Sequence, residues 1–532
     1  MPQMSVAAIP FGPLLETSSE EISGGSPEAY NVVADGRGVL RKRPGLGAYT
    51  GVAPSTAVDA NGVLGLYLTE ERVAHTTGSA TVSGTHAGVL YAVGATVNAA
   101  GGGHNAGRIV YRIAGGSATA VGTGAANEDR LATPAAIATT RFPRPVFAET
   151  EALLVIAGGA QVGKIDIRPE TFSSPNFTNP NPDYHEMSFL GGCPPLASHV
   201  LGNSSRILAN DTQLDQTKLR YSDISQGIVD YAGHETWSPS PGAAGFFTAE
   251  ARPDSIVACC ENTNDIFVFG RTSLQLFAPD TAVTFAPTVT KETGCLAPYS
   301  PIKQDDRYVW LDHQTRIIAS DGREWQDVGG PIQKTLDELT APDDCYGYRF
   351  NEVFADCLVF RFETDAETLV LQPGIGWARW AGHDGTDFTL FPVLCHHQRQ
   401  DGGLNVVGLS DGTIRTLSFD NTTDLGDAIV AHVSSGFIDH ETSAYKTTVC
   451  VDLTFKRTSD LDGVTCTLEW RDSLTDNWDS VIIELGVGDG DLSPVVSLYS
   501  LGSYRRRQWR FRFPDEAELF LVSARERFTV EA

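Results

Sequence analysis

Positive charge is what this chain has least of. Its 532 residues carry 39 Lys and Arg against 66 Asp and Glu, a net charge of −27 at pH 7. Such a surface repels phosphate backbones on average, which excludes a conventional nucleic-acid binder but not a conduit along which DNA slides without sticking. Continuous apolar sequence is also missing: no run reaches the roughly 18 residues of a membrane span. The opening "MPQMSVAAIPFGPLLE" has no basic region and is interrupted by Pro2, Pro10 and Pro13, so no signal peptide is expected. Cysteine is scarce: there are 9, an odd number, with no CxxC pair. That usage suits free thiols in a reducing cytosol, and the adjacent Cys259 and Cys260 read as two packed thiols. Long Leu/Ala/Glu/Lys runs at helical spacing are absent too.

What is present is turn chemistry and alternation. The 53 glycines and 28 prolines are scattered, as in a turn-rich β protein, and 41% hydrophobic residues suffice for a large core. Residues 1–50 read as an extended N-terminal segment. Residues 51–140 form an Ala/Gly/Thr-rich β region, with short strands such as "VLYAV" and "RIVYRI" between glycine turns, either an extra blade or an insertion. From about residue 150 a hairpin recurs: an apolar strand, a polar turn, a second alternating strand. The first strands centre on Val155, Ile207, Val268, Val309, Val359 and Val406. Spacings of roughly 40–60 residues match the period of a propeller blade. One four-stranded sheet cannot bury both its faces alone, and stacking sheets about an axis covers them. The expected fold is therefore all-β: propeller blades over 141–427, then a C-terminal antiparallel sandwich-like domain over 428–532 with longer alternating strands. In "RRRQWRFRF", Trp509, Phe511 and Phe513 share one strand face and Arg510 and Arg512 the other. A single short helix is expected in "GGPIQKTLDEL", with Pro331 at its first position and Ile332, Leu336 and Leu339 on one side, as a connection between blades.

Chemistry-bearing motifs are few. No GxSxG elbow and no HExxH helix occurs. In "CHH", Cys395 and His396 are consecutive strand residues and point apart, which argues against a joint site. "ASDGREW" has Ser320, Asp321 and Gly322 contiguous, closer to a hairpin turn than to the Asp-box of sialidase-type propellers. Asp460 with Asp462 and Asp489 with Asp491 lack the further oxygen ligands of a calcium loop. No catalytic residue, cofactor or metal is assigned, and an enzyme is not expected. The basic spots are the stronger candidates. On so acidic a chain, exposed arginines seek another surface, most often another copy of the chain. Arg41, Lys42 and Arg43, held by a Pro44-Gly45 turn, and Arg505, Arg506 and Arg507 are the candidate subunit-interface residues.

Five stretches, in order, resemble one family. "RKRPGL" (41–46), "LRYSDISQGIVDYAGHETW" (219–237), "NDIFVFGRTSLQLF" (264–277), "DGREWQDVGGPIQKTLDEL" (321–339) and "LGSYRRRQWRFRF" (501–513) are similar to segments of the tail hub or nozzle proteins of short-tailed bacteriophages, the packaged-DNA-stabilisation type. Residues 51–140 match nothing in it. The resemblance implies a structural virion protein: a homo-oligomeric ring, typically a hexamer, below the portal and adaptor and meeting tail fibre or needle proteins. Such a ring retains packaged DNA, touches the duplex transiently during ejection and has no stable membrane association. It resides in the tail after assembly in the host cytoplasm. The competing reading is a propeller-type carbohydrate-binding or glycan-degrading tail protein.

Overall fold

The computed structural model describes residues 4–15, 27–35, 39–49, 58–59, 61–69, 75–77, 80–82, 88–99, 106–114, 117–121, 130–132, 144–159, 161–168, 187–203, 206–212, 215–225, 231–237, 244–249, 254–262, 265–279, 285–353, 355–399, 403–456, 464–485, 494–514 and 519–531. The chain divides into two units, each drawn from separated stretches: 48–327 with 392–416, and 1–47 with 328–391 and 417–532. Among the described residues the one α-helix is Gln333–Glu338.

The first unit is a six-bladed β-propeller. Blade 1 takes strands Val63–Leu68, Leu90–Ala99, Ala106–Ala114 and Ser117–Ala120 from the Ala/Gly/Thr-rich region. Blades 2 to 5 are four-stranded meanders beginning at Val146–Glu149, Val200–Asn203, Ile256–Glu261 and Ile302–Gln304. Blade 6 takes Val393–Gln398, Asn405–Leu409 and Ile414–Ser418 from a six-stranded sheet that also holds Gly45–Ala48, Thr423–Asp424 and Asp427–Ala428. The seams from blade 1 through blade 5 are apolar layers. Leu154, Ile156 and Ile165 of blade 2 meet Tyr91, Val93 and Val110 of blade 1. Val155 and Ala157, on the opposite face of the same strand, meet Val200 and Ile207 of blade 3. Phe267 and Phe269 of blade 4 pack on Tyr308 and Trp310 of blade 5. Two-sided burial explains why "LLVIA" and "IFVFG" read as continuous apolar runs rather than alternations. The ring closes where blade 6 meets blade 1: Cys395 Sγ lies 3.1 Å from the Val63 carbonyl, and His397 Nε2 3.2 Å from that of Leu68.

The second unit is a sandwich of a nine-stranded and a seven-stranded sheet. The larger runs Tyr346–Glu352, Ala355–Phe362, Glu367–Gln372, Gly376–Arg379, Ala29–Tyr30, Ala431–Ile438, Arg507–Phe513, Val464–Arg471, Asp479–Leu485. The smaller centres on Phe520–Val530 and Lys446–Lys456, with Val32–Ala34, Leu40–Lys42 and Met4–Ala8 from the N-terminus. Trp509, Phe511 and Phe513 are buried while Arg510 and Arg512 sit half-buried on the other face, and Phe511 meets Phe455 of the smaller sheet at 5.9 Å.

This partition differs from the expected one in three places. The hairpin around Val359 is not a blade; its four-stranded meander is spliced through Ala29–Tyr30 into the larger sandwich sheet. The helical turn with buried Ile332 and Leu336 belongs to the sandwich rather than to a blade connection. Residues 428–532 do not form a separate domain, because both of their sheets are completed by strands from 1–47. The cause is common to all three. A hairpin's local pattern specifies its own two strands and leaves open what pairs with its outer edges.

Candidate functional site

The propeller axis is the natural place to look for a site. The residues that lead into the first strands gather at one end of it. His199, before blade 3, points Nε2 at the Pro298 carbonyl at 3.1 Å and stacks on Tyr299 at 5.5 Å, both ahead of blade 5. The Tyr299 hydroxyl reaches the backbone of Arg144, ahead of blade 2, and Arg144 Nη1 donates to the Leu394 carbonyl of blade 6 at 2.5 Å. These pairs join non-adjacent blades, so the side chains cross the axis and close this end. Burial pushes the Tyr299 hydroxyl up to about 12 and the Arg108 guanidinium down to about 10, with Arg144 nearby adding repulsion. Burial also holds His199 down at about 4, a neutral ring at neutral pH.

The opposite end carries the last residues of the first strands, Glu149, Asn203, Glu261, Gln304 and Gln398. Asn203 Nδ2 donates to Glu261 Oε1 at 2.9 Å, and burial raises the Glu261 carboxyl above its ordinary value against that hydrogen bond. The axis is thus cationic and aromatic where it is closed, and acidic with amides where it ends. Among the described residues no group of three or more His, Cys, Asp or Glu is placed to hold a metal ion.

The motifs singled out in the sequence serve the fold. Cys395 faces blade 1, whereas His396 turns away and places Nε2 3.0 Å from Asn405 Oδ1. The Asp321 carboxylate accepts from the backbone N–H groups of Arg323 and Glu324, both at 2.8 Å, and Gly322 has φ 92°, so "SDG" is a side-chain-supported turn. All nine cysteines are free thiols, and burial pushes Cys259 and Cys295 up to about 12, away from thiolate chemistry. Asp460, Asp462, Asp489 and Asp491 lie outside the described residues.

The basic triplet corrects the sequence-based expectation. Arg41, Lys42 and Arg43 are 9%, 5% and 2% exposed and lie inside the sandwich rather than on a presented turn. Arg41 covers the Phe419 and Phe520 rings at 4.0 and 5.1 Å, and Lys42 Nζ covers Phe513 at 4.3 Å. Arg43 uses its whole donor fork. Nε donates to Asn31 Oδ1 at 2.9 Å, Nη1 to the Pro44 carbonyl at 2.9 Å and to Asp424 Oδ1 at 3.0 Å, and Nη2 to the Ala381 carbonyl at 3.0 Å and to Asp424 Oδ2. Asn31, at φ 55° and 1% exposed, completes the knot: its Nδ2 donates to the Val430 carbonyl at 2.9 Å, and its Oδ1 also accepts from the Ala381 N–H at 2.8 Å. One guanidinium fastens the stretches around Asn31, Ala381 and Asp424 to its own. An acidic chain concentrates positive charge at 41–43 because the N-terminal strap has to be clamped between sheets, and a buried cation there meets aromatic faces, carbonyls and one carboxylate.

The second cluster divides. Arg507 is 2% exposed, paired with Asp472 at 2.7 Å and donating to the Leu501 carbonyl at 2.7 Å. It borders a buried network in which Glu526 Oε1 accepts from Thr448 at 2.7 Å and Tyr504 at 2.8 Å. Arg506 is half-buried over Phe437 at 5.0 Å. Arg505 alone of the six candidates is exposed, with its guanidinium 4.7 Å from the Tyr445 ring.

No protein-family model and no curated protein matches the sequence. Solved structures that the chain resembles include YCF48 bound to a D1 peptide (10% identity, 73% of this chain and 100% of that one, TM-score 0.37). Others are a mitotic checkpoint complex chain (10%, 62% and 84%, 0.35) and the WD40 β-propeller domain of Doa1 (10%, 67% and 97%, 0.33). Scores this low add nothing to the strand pairing, which by itself establishes the propeller.

Proposed function

We propose that this chain is a non-enzymatic structural component of a short-tailed phage virion: a tail hub or nozzle subunit. On this reading copies form a ring, a hexamer in the family it resembles, below the portal and adaptor and against fibre or needle proteins. The ring retains packaged DNA and conducts it at ejection, and is built in the host cytoplasm. The observation that carries this reading is the ordered set of five family-like stretches. What they do in the fold supports it. "RKRPGL" is the strap clamp, "NDIFVFGRTSLQLF" supplies the central hairpin of blade 4, and "LGSYRRRQWRFRF" spans a sandwich strand. In 219–237, Trp237 Nε1 closes on the His234 carbonyl at 2.8 Å, and the Asp223 N–H on the Thr236 carbonyl at 2.8 Å. These are framework positions.

The plugged axis bears on the route of DNA. A propeller crossed by Arg144 and Tyr299 has no bore for a duplex. A channel must therefore lie between copies, and the net charge of −27 suits a wall that does not grip phosphates. Electron microscopy of the purified protein beside intact tails tests the reading. Rings that superpose on a tail layer are expected; a protein monomeric at every concentration and missing from particles would end it. With Arg41, Lys42, Arg43 and Arg507 committed to the interior, exposed Arg505 and half-buried Arg506 are the remaining basic candidates for a subunit contact.

A further inference from the structure

Three buried arginines come with a carboxylate. Arg43 has Asp424, Arg168 has Asp166 within the same blade, and Arg507 has Asp472. Arg415, on the third strand of blade 6, departs from this pattern. It is 6% exposed, and neither its Nε nor its Nη1 meets an acceptor. Among the described residues no carboxylate, carbonyl or ring engages the side chain, and only the Nη2 end keeps contact with solvent. The nearest carboxylate in sequence, Asp411, is spent on its own turn, accepting from the Thr413 N–H at 2.9 Å and hydroxyl at 2.7 Å.

A guanidinium withdrawn from water without a counter-charge costs several kcal/mol, and it presents five donors in a planar fork. Its strand neighbours do not compensate. The cross-strand row on its face runs Arg415, Val407, His396. Burial holds the His396 ring down at about 3, so it brings no charge of either sign at neutral pH. An apolar floor, a neutral imidazole and an uncommitted fork with one end open to solvent make a receptor for a planar or tetrahedral anion.

We propose that Arg415 is an oxyanion receptor on blade 6, taking an oxygen of a carboxylate or phosphate group at its open Nη2 end. The group comes either from a free anion or from an acidic side chain of a second copy. The site does not depend on the virion reading, since either source would fill it in any propeller of this sequence.

Thermal unfolding of the full chain in phosphate, acetate or chloride at matched ionic strength tests it, with Arg415→Met and Arg415→Lys alongside. For a free anion, the wild-type midpoint rises by roughly 2–4 °C in phosphate or acetate over chloride. That rise disappears in Arg415→Met and shrinks in Arg415→Lys, which keeps the charge without the fork. For a second-copy carboxylate, the anions do little. Sedimentation then shows wild-type self-association that Arg415→Met abolishes while melting no lower as a monomer. If Arg415→Met fails to fold, the Arg415→Lys comparison decides alone. No anion dependence together with no loss of association in the variants overturns the proposal.

Discussion

The propeller and the sandwich solve the same problem with opposite means. In the propeller blades 1 to 5 are each one continuous stretch of chain, and neighbours are held by apolar seams such as Phe267 and Phe269 against Trp310. In the sandwich the strands from 1–47 pair with stretches hundreds of residues away, and polar fasteners mark which go together: Arg43 with Asp424, Gln372 with Ala34, His432 with Glu28. Apolar contact is non-directional and sums with area, which suffices when sequence order already sets the neighbours. Bringing together distant strands needs directional groups that only one partner satisfies.

Breaking a fastener should therefore damage the sandwich and spare the blades. Arg43→Glu removes a buried guanidinium and sets a carboxylate beside Asp424. The expected loss is about 3–5 kcal/mol or more, with hydrogen-exchange protection lost across 421–438 and kept across 256–320. Trp310→Ala is the mirror experiment. It should cost about 3–5 kcal/mol through cavity formation and expose the strands of blades 4 and 5 while 431–438 stays protected. Equal loss of protection in both regions for either variant would show that the two units do not fold separately.

Acid should separate them as well. His199, His396 and His397 have folded values held by burial at about 4, 3 and 4, below the ordinary 6.5. Unfolded histidines take protons first, so the propeller loses stability as pH falls from 6.5 towards 4, at up to about 1.4 kcal/mol per pH unit for each ring. In the sandwich, burial opposes ionisation of Glu28, but His432, Arg510 and Arg471 outweigh it and the carboxyl is lowered below its ordinary 4.5. Its contribution is present above that value and is lost only as pH falls below it. Blade amides should thus open at milder acidity than those of 431–438, and the reverse order would refute the assignment. Asn31→Gly keeps the left-handed backbone and removes three hydrogen bonds, for about 1–3 kcal/mol. Smallest of all, Arg505→Ala should change monomer stability by no more than about 0.5 kcal/mol, so any effect it has on self-association reads out an interface.

The sequence made the β class, the blade hairpins and the faces of "RRRQWRFRF" legible, because each is a short-range pattern of alternation and turn. Val155, Ile207, Val268, Val309 and Val406 all fall on second strands of blades. Val359 has the same pattern and spacing, since the inserted meander 346–379 is as long as a blade; only Ala29–Tyr30 at its edge tells it apart. The fate of Arg41 to Arg43 was not legible, because a basic triplet beside Pro-Gly looks the same whether it faces water or an aromatic interior. Arg415 gave no local sign at all: in "DGTIRTLSF" it is an ordinary polar residue of an alternating strand.

The division of the chain also sets a timetable. Asp424 leaves the ribosome 381 residues after Arg43, roughly 20–75 s later at common elongation rates. Through that interval the strap lacks its clamp and one of the two strands it will splice, Ala431–Ile438, while blades 1 to 5 can already stack. Nascent chains stalled before residue 424 should carry a compact propeller core behind an unsecured leader that proteases can reach.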